Sequence, residues 1–375
     1  MSSMSHEDRA SLANTVRRVL EDQYAFGARR NANLATASDA LPPIWSELVG
    51  LGLTSLLVPE SFDGIDAGPQ ELQVVMQEFG GALLVAPWLG TVLCGAAIAS
   101  AGSPSQQAEY LPGIASGQVV MAFADEDASA LDASEPTTTT ASASGSGWRL
   151  DGRKQCVTHA GCSTDLLVSA RTPDGATGLF IVDAGAKGLD AETHRLVDGG
   201  WAADLELRGV AAQALGGATS FEQHASARAM LKALWVVAAV AEAVGACESA
   251  LEMSVRYLRD RKQFGQPLSE NQSLRHRIAE MSIELEQLRS AAAIATEAAA
   301  QPADAANLRR LAQARWVASR AATFILQQAI QLHGGMGMTE ALAVGHFYRR
   351  VLVLDALEGG ARFALERLDA ELAEH

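Results

Sequence analysis

The sequence predicts a mainly α-helical protein with a central β domain, because the spacing of apolar residues changes twice along the chain. Helical spacing gives way near residue 117 to short alternating or apolar runs, which are typical of strands. Helical spacing returns near residue 220 and persists in long alanine-rich stretches, which favour a helix bundle. We therefore predict an N-terminal helical domain at 1–117, a middle β domain at 118–219 and a C-terminal four-helix bundle at 220–375.

The first domain is predicted from apolar residues at helical spacing and from the prolines between them. Pro69 supports one helix start, since proline in the first turn lacks the N–H that would be unpaired there anyway. Pro42 and Pro43 interrupt the chain before a short helix. The predicted helices cover residues 7–35, 44–51, 69–79, 89–101 and 106–115.

Short apolar runs bounded by Gly, Asp and Ser predict the strands of the middle domain. Asp151-Gly152 is interpreted as a turn between two runs, and residues 137–147 as a surface strand with its loop. The predicted strand runs are 119–127, 148–161, 165–172, 178–185 and 205–210. The predicted bundle helices are 226–261, 272–300, 304–332 and 360–372.

Composition favours a folded protein and disfavours some classes of partner. Hydrophobic residues make up 48% of the 375 residues and charged residues 19%, so a large core is available and disorder by composition is excluded. The net charge of −15 disfavours nucleic acid and anionic membranes as partners. The most apolar run, 233–247, contains Glu242 and is interpreted as too short to span a bilayer.

The cysteine pattern and the N-terminal residues indicate the compartment. The four cysteines show neither a CxxC pair nor zinc-ligand spacing, and no positively charged segment precedes an apolar core. We therefore expect a cytoplasmic protein with reduced thiols and no metal site. His159, His333 and His346 are interpreted as structural histidines, because their spacing does not suggest a shared metal ion.

A glycine-rich stretch from residue 327 to residue 360 is the strongest candidate for a binding site. Gly334, Gly335 and Gly337 follow a long helical pattern, where glycines end the helix and leave backbone N–H groups uncovered. Such groups suit the close approach of phosphates or ring edges. Glu358 is followed by two glycines, so its carboxylate can reach a ligand without a neighbouring side chain in the way. If only the spacing of the glycines is considered, the alternative to a binding site is an ordinary helix end.

Two signatures in this chain resemble those of the acyl-CoA dehydrogenase family. The resemblance covers nearly the whole chain, and it implies an N-terminal helical domain, a β-barrel-like middle domain, a C-terminal four-helix bundle, an FAD cofactor and an acyl-CoA substrate. The second signature, Arg-x-x-Phe-Gly-x-Pro followed by a glutamine, is matched by residues 261–267 and Gln272. The C-terminal signature is matched in register by Gln331, Gly334, Gly335, Gly337, Arg349, Glu358 and Gly359.

The resemblance also implies roles for individual residues. Glu358 would be the base that removes the α-proton of the acyl-CoA, which is a task for a positioned carboxylate. Arg261 would bind the FAD diphosphate across a subunit contact, because its fork meets two phosphate oxygens at once, and Phe264 would pack nearby. Thr158 keeps a hydroxyl group that the family uses at the flavin. The other implied FAD contacts are Gln263, Gln272, Gln331, Gly334 and Gly335.

Some residues depart from the family pattern. Residues 125–127 are Asp-Glu-Asp where the family has Thr-Glu-Pro, and Cys156 stands where the family has a tryptophan. Asn271, Gly360 and Arg362 are further departures. These departures resemble those in the small subunits of heteromeric members, which pair with a second homologous chain.

The expected activity is the flavin-dependent oxidation of an acyl-CoA to the trans-2-enoyl-CoA, with electrons passed to an electron-transferring flavoprotein. The assembly is expected to be either an α2β2 heterotetramer with a homologous acyl-CoA dehydrogenase subunit or a homotetramer. One alternative is a non-catalytic subunit that completes its partner's FAD or acyl pocket. Another is a flavin oxidase or monooxygenase on the same fold. Glu358 and Arg261 would be ordinary helix-terminal charges if the resemblance did not hold.

Overall fold

The computed structural model describes residues 4–27, 37–127, 137–145, 147–217, 221–263, 265–357 and 360. Two predicted site residues, Phe264 and Glu358, lie outside the described residues, as does the predicted last helix beyond Gly360. Helices come first in the chain, strands follow, and helices return, so the predicted fold class is confirmed.

Helices with clear caps build the N-terminal part of the chain. Ser5 accepts a hydrogen bond from the Asp8 N–H (3.1 Å) and begins the first helix, which ends where Tyr24 turns inward to the core. The predicted helix 7–35 is therefore interrupted at Tyr24, and its residues 28–35 lie outside the described residues. The helices are α1 His6–Gln23, α2 Trp45–Gly50, α3 Pro69–Ala82, α4 Trp88–Ala101 and α5 Pro104–Ala115.

The middle part of the chain forms a sheet that closes on itself. The strands are β1 Met121–Ala124, β2 Thr140–Ser144, β3 Gly147–Thr158, β4 Asp165–Arg171, β5 Thr177–Asp183, β6 Leu189–Arg195 and β7 Trp201–Ala214. Pairing runs from β4 through β2, β3, β7 and β5 back to β4, with β1 parallel to β4 and β6 antiparallel to β7. Buried apolar side chains from these strands form a core of their own.

The predicted turn at Asp151-Gly152 was wrong, because β3 runs through it as one strand with a bulge. Gly152 has φ +151°, and a Cβ there would lie 2.6 Å from Thr139 Oγ1. Asp151 accepts a hydrogen bond from the Gly209 N–H (2.7 Å), which fastens the bulge to β7. Gly152 therefore permits close contact between strands, although an Asp-Gly pair in the sequence is also typical of a turn.

Long helices form the C-terminal bundle, and one of them was missed. No helix is predicted between the glycines and Glu358, but one begins at Ala343 after a short turn at residues 334–338. Its buried residues Val344, Phe347, Val351 and Leu354 have helical spacing that would have predicted it. The bundle helices are α6 Phe221–Asp260, α7 Gln272–Ala299, α8 Ala305–His333 and α9 Ala343–Ala356.

Helix α6 is the apolar centre of the protein and borders both the β domain and the other bundle helices. By length and composition alone its span from Gln223 to Asp260 could cross a bilayer, so the interpretation that the apolar run is too short was wrong. However, 83% of its most apolar window is buried inside the protein. Its apolar character is therefore explained by packing in a core.

Candidate functional site

The fold brings the two signatures together at one end of the bundle. The Arg261 N–H donates to the Tyr257 carbonyl (2.9 Å), and the Tyr257 ring packs on the His333 ring with centroids 4.6 Å apart. His333 directly precedes Gly334. The two signatures are distant in sequence and adjacent in space.

The predicted residues at this end of the bundle are exposed to solvent. Met336 and Met338, which follow the glycines, are 52% and 79% exposed and add apolar area beside them. We call the predicted residues the bundle-end surface: Arg261, Gln263, Gln272, Gln331, Gly334 and Gly335. This surface faces solvent and is therefore accessible to a ligand.

The bundle-end surface has the chemistry that an FAD dinucleotide needs. Among the described residues, the Arg261 guanidinium has no ion pair, so its fork is available to a diphosphate. Gly334 has φ +59°, which ends α8, and a Cβ added to Gly335 would meet no atom within 4 Å. The residues therefore fit a flavin dinucleotide that approaches from outside this chain.

Thr158 lies in a different place, in a cleft between the β domain and the bundle. The cleft is a cavity of about 90 Å³. The ends of two strands contribute Asp125, Cys156 and Thr158, and Trp235 of α6 and Leu357 close the other side. None of the described residues that line the cleft belongs to the bundle-end surface, so the structure divides the predicted site into two parts.

A buried ion cluster bridges the cleft at Asp125. The Asp125 carboxylate accepts hydrogen bonds from Arg228 Nε and Nη2 at 2.6 and 2.8 Å and lies 2.9 Å from Lys232 Nζ. Burial by itself would raise the pKa of Asp125, but Lys232 and Arg228 together hold it well below its ordinary value. The carboxylate is therefore charged and ties the β domain to the start of α6; these three residues are the Asp125 cluster.

Lys154 supports the Asp125 cluster from inside the β domain. Its ammonium group is fully buried and donates to the Asp125 carbonyl (2.9 Å) and to Ser169 Oγ (3.0 Å). It also pairs with Asp127 at 3.0 Å. Sequence reasoning missed this lysine, although a lysine in an otherwise core-facing strand position signals a buried acidic partner.

A second ion cluster bridges the cleft at Arg350 of α9. Arg350 Nε and Nη2 donate to the two Glu242 oxygens at 2.5 and 3.0 Å, and its Nη1 donates to Asp198 Oδ2 at 2.8 Å. Burial opposes the charge on Arg350, yet Glu242 and Asp198 raise its pKa above the ordinary arginine value. Both carboxylates are fully buried, and these three residues are the Arg350 cluster.

Sequence reasoning interpreted Glu242 as a structural polar residue but did not find its partner. A glutamate in the most apolar run of a helix needs a cation or hydrogen-bond donors, but the sequence does not indicate which residue supplies them. The structure pairs Glu242 with Arg350, whereas the neighbouring Arg349 pairs with the exposed Glu340 at 2.8 Å.

Two departures from the family pattern have local structural roles. Cys156 has φ +51° at a bulge in β3, and its N–H donates to Asp204 Oδ1 (2.8 Å). Burial, followed by Glu126, raises the pKa of the Cys156 thiol to about 11, so the thiol is protonated at neutral pH. Asn271 caps α7 by accepting a hydrogen bond from the Ser273 N–H (3.0 Å).

Family models match this chain along most of its length. The acyl-CoA dehydrogenase N-terminal domain matches residues 6–118, the middle domain residues 120–210 and the C-terminal domain residues 237–372. Acyl-CoA dehydrogenase FadE12 of Mycobacterium tuberculosis (strain ATCC 25618 / H37Rv) is 30% identical over 358 residues, covering 90% of this chain and 87% of FadE12.

Solved structures show the same similarity. A chain in the structure of a variant of the Tcur3481-Tcur3483 steroid ACAD has a TM-score of 0.89 and 30% identity, with 98% of each chain covered. A chain of the ChsE4-ChsE5 complex from Mycobacterium tuberculosis has a TM-score of 0.87 and 25% identity, with 100% of each chain covered. With three matching domain models, the helix–sheet–bundle fold and both signatures, this chain belongs to the acyl-CoA dehydrogenase family of FAD-binding oxidoreductases.

Proposed function

We propose that this chain is a subunit of a heteromeric FAD-dependent acyl-CoA dehydrogenase and that it completes the flavin site of a homologous partner chain. The observation that carries the proposal is the bundle-end surface, whose donors and glycines face outward. The assembly would oxidise an acyl-CoA to the trans-2-enoyl-CoA and pass the electrons to an electron-transferring flavoprotein, as the resemblance implies.

In this proposal the residues of the bundle-end surface bind and orient the cofactor. Arg261 would hold the diphosphate with its guanidinium fork, and the Gln331 amide and Gly335 N–H would approach its other edges. When bound, FAD supplies the acceptor for the hydride from the β-carbon of the thioester. The α-proton goes to a carboxylate base.

The similar structures support a partner chain and suggest a first substrate class. Both similar structures are named for two different proteins, Tcur3481 with Tcur3483 and ChsE4 with ChsE5. One of them is called a steroid ACAD. CoA thioesters of steroid side chains are therefore the first substrates to test, beside linear acyl-CoA thioesters.

A second candidate function is favoured by Leu357, which lines the cleft and directly precedes Glu358 in the sequence. In that case this chain would itself catalyse the oxidation, with Glu358 as the base that removes the α-proton. The two candidates differ in the chain that bears the base.

The flavin content of the assembly tests the proposed function. We expect the chain co-purified with its homologous partner to hold one FAD for every two chains, and the chain alone to lose FAD on gel filtration. Flavin absorbance against protein concentration, with the mass of the assembly from light scattering, gives this ratio. A homotetramer of this chain alone with one FAD per chain would contradict the proposal.

Replacing Glu358 by glutamine separates the two candidates. If the partner bears the base, Glu358→Gln in the assembly should leave the turnover of acyl-CoA close to that of the wild type. A loss of about 10²- to 10⁴-fold, which is typical of removing a general base, would make this chain the catalytic one. FAD content should be measured in the same sample, so that a loss of cofactor is not mistaken for a loss of the base.

A further inference from the structure

We infer that the cleft of this chain is closed to the flavin ring and to an acyl thioester, and that the Asp125 cluster and the Arg350 cluster hold it closed. This inference deepens the proposed function, because it explains why this chain would serve a partner's flavin and bind none in its own cleft. It rests on the size of the cleft, on the position of the two clusters and on their burial.

The cleft is small for a flavin ring. Its cavity is about 90 Å³, whereas pockets for small ligands usually enclose about 300–1,000 Å³. A ring system of three fused rings does not fit without movement of the walls.

Both clusters join separate parts of the chain across the cleft. Asp125 follows β1, and its partners Arg228 and Lys232 lie near the start of α6. Asp198 lies between β6 and β7, and its partner Arg350 lies on α9. Moving the β domain away from the bundle would break both sets of ion pairs at once.

Burial shields both clusters from solvent. Asp198 and Glu242 are fully buried and the Asp125 side chain is 1% exposed, so opening the cleft would break short ion pairs that water does not weaken in the closed state. Arg228 and Lys232 are about a quarter exposed and form the outer edge. A ligand that lacks compensating charges could not replace these contacts.

Cys156 can report whether the cleft is open, since its thiol lines the cavity and Cys162 does not. The experiment labels the purified full chain, alone and with its partner, with fluorescein maleimide and follows each cysteine by peptide mass spectrometry. Cys162, which is also partly buried, serves as the internal reference. Each rate is measured with and without a large excess of FAD.

The variant Asp125→Ala should open the cleft, and it should fold because Arg228 and Lys232 can turn to solvent. We expect Cys156 to react about tenfold faster or more in this variant, since each unit of decrease in thiol pKa raises the thiolate fraction tenfold at neutral pH. Glu206→Ala is the matched control, because it removes an ion-paired carboxylate from β7 outside the cleft. Its Cys156 rate should equal that of the wild type.

Excess FAD should not change the rate at which fluorescein maleimide labels Cys156 in the wild-type chain. This measurement needs no variant. Protection of Cys156 by FAD would overturn the inference, because the ring would then enter the cleft. An unchanged rate in Asp125→Ala, or an equal rise in Glu206→Ala, would overturn it as well. If the assembly holds no flavin and excess FAD does not protect its Cys156, the proposed function is contradicted. The closed cleft is supported by the same result.

Discussion

Replacing Arg350 by alanine should lower the free energy of unfolding by about 3–5 kcal/mol, the usual range for breaking a buried ion pair by removing one partner. The physical reason is that the fully buried carboxyl groups of Glu242 and Asp198 would lose the cation that compensates their burial. Urea denaturation followed by circular dichroism measures this loss. A change below about 1 kcal/mol, the level of an exposed pair, would contradict the buried cluster.

Arg349→Ala is the matched control for this experiment, because Arg349 is the neighbouring residue and pairs with the exposed Glu340. Its effect should stay within about 1 kcal/mol, since exposed ion pairs contribute little. The triple variant Arg350→Ala, Glu242→Gln, Asp198→Asn should recover part of the stability, because no unpaired charge is left in the cleft. Recovery would assign the loss to charge and not to packing.

Replacing Arg261 by alanine should weaken the binding of FAD to the assembly by about 1.5–3 kcal/mol, or roughly 10- to 150-fold. A charge-assisted hydrogen bond to phosphate would be lost, while the exposed position of Arg261 means that folding should not suffer. FAD content after gel filtration, together with circular dichroism, measures both effects. Unchanged FAD content would refute the assignment of Arg261.

The control for Arg261→Ala is Arg259→Ala, which removes an exposed arginine two residues earlier in the last turn of α6. It lowers the positive charge of this end of the bundle by the same amount. We expect it to keep its FAD. An equal loss of FAD in both variants would point to general electrostatic attraction in place of a specific diphosphate contact.

Local features of the sequence were sufficient to predict much of the fold. The predicted helix 272–300 differs from α7 by one residue at its last position, and the predicted helix 304–332 differs from α8 by one residue at each end, because apolar spacing and helix propensity act over neighbouring residues. The change from helices to strands near residue 117 could be predicted for the same reason, because it is a change in the spacing of neighbouring apolar residues. The matched signatures likewise identified Arg261 and the glycines after α8, since their spacing is a property of the sequence itself.

The sequence by itself determined the succession of a helical part, a β part and a second helical part, the family and the residues of the bundle-end surface. Only the tertiary structure decided that these residues face outward, that β3 is one strand through Gly152, and that the cleft is bridged by two ion clusters. Asp125 and Arg228 are 103 residues apart, and Asp198 and Arg350 are 152 residues apart. Which charges meet is set by how the β domain packs on α6 and α9, because a buried carboxylate must find a cation wherever the fold places one.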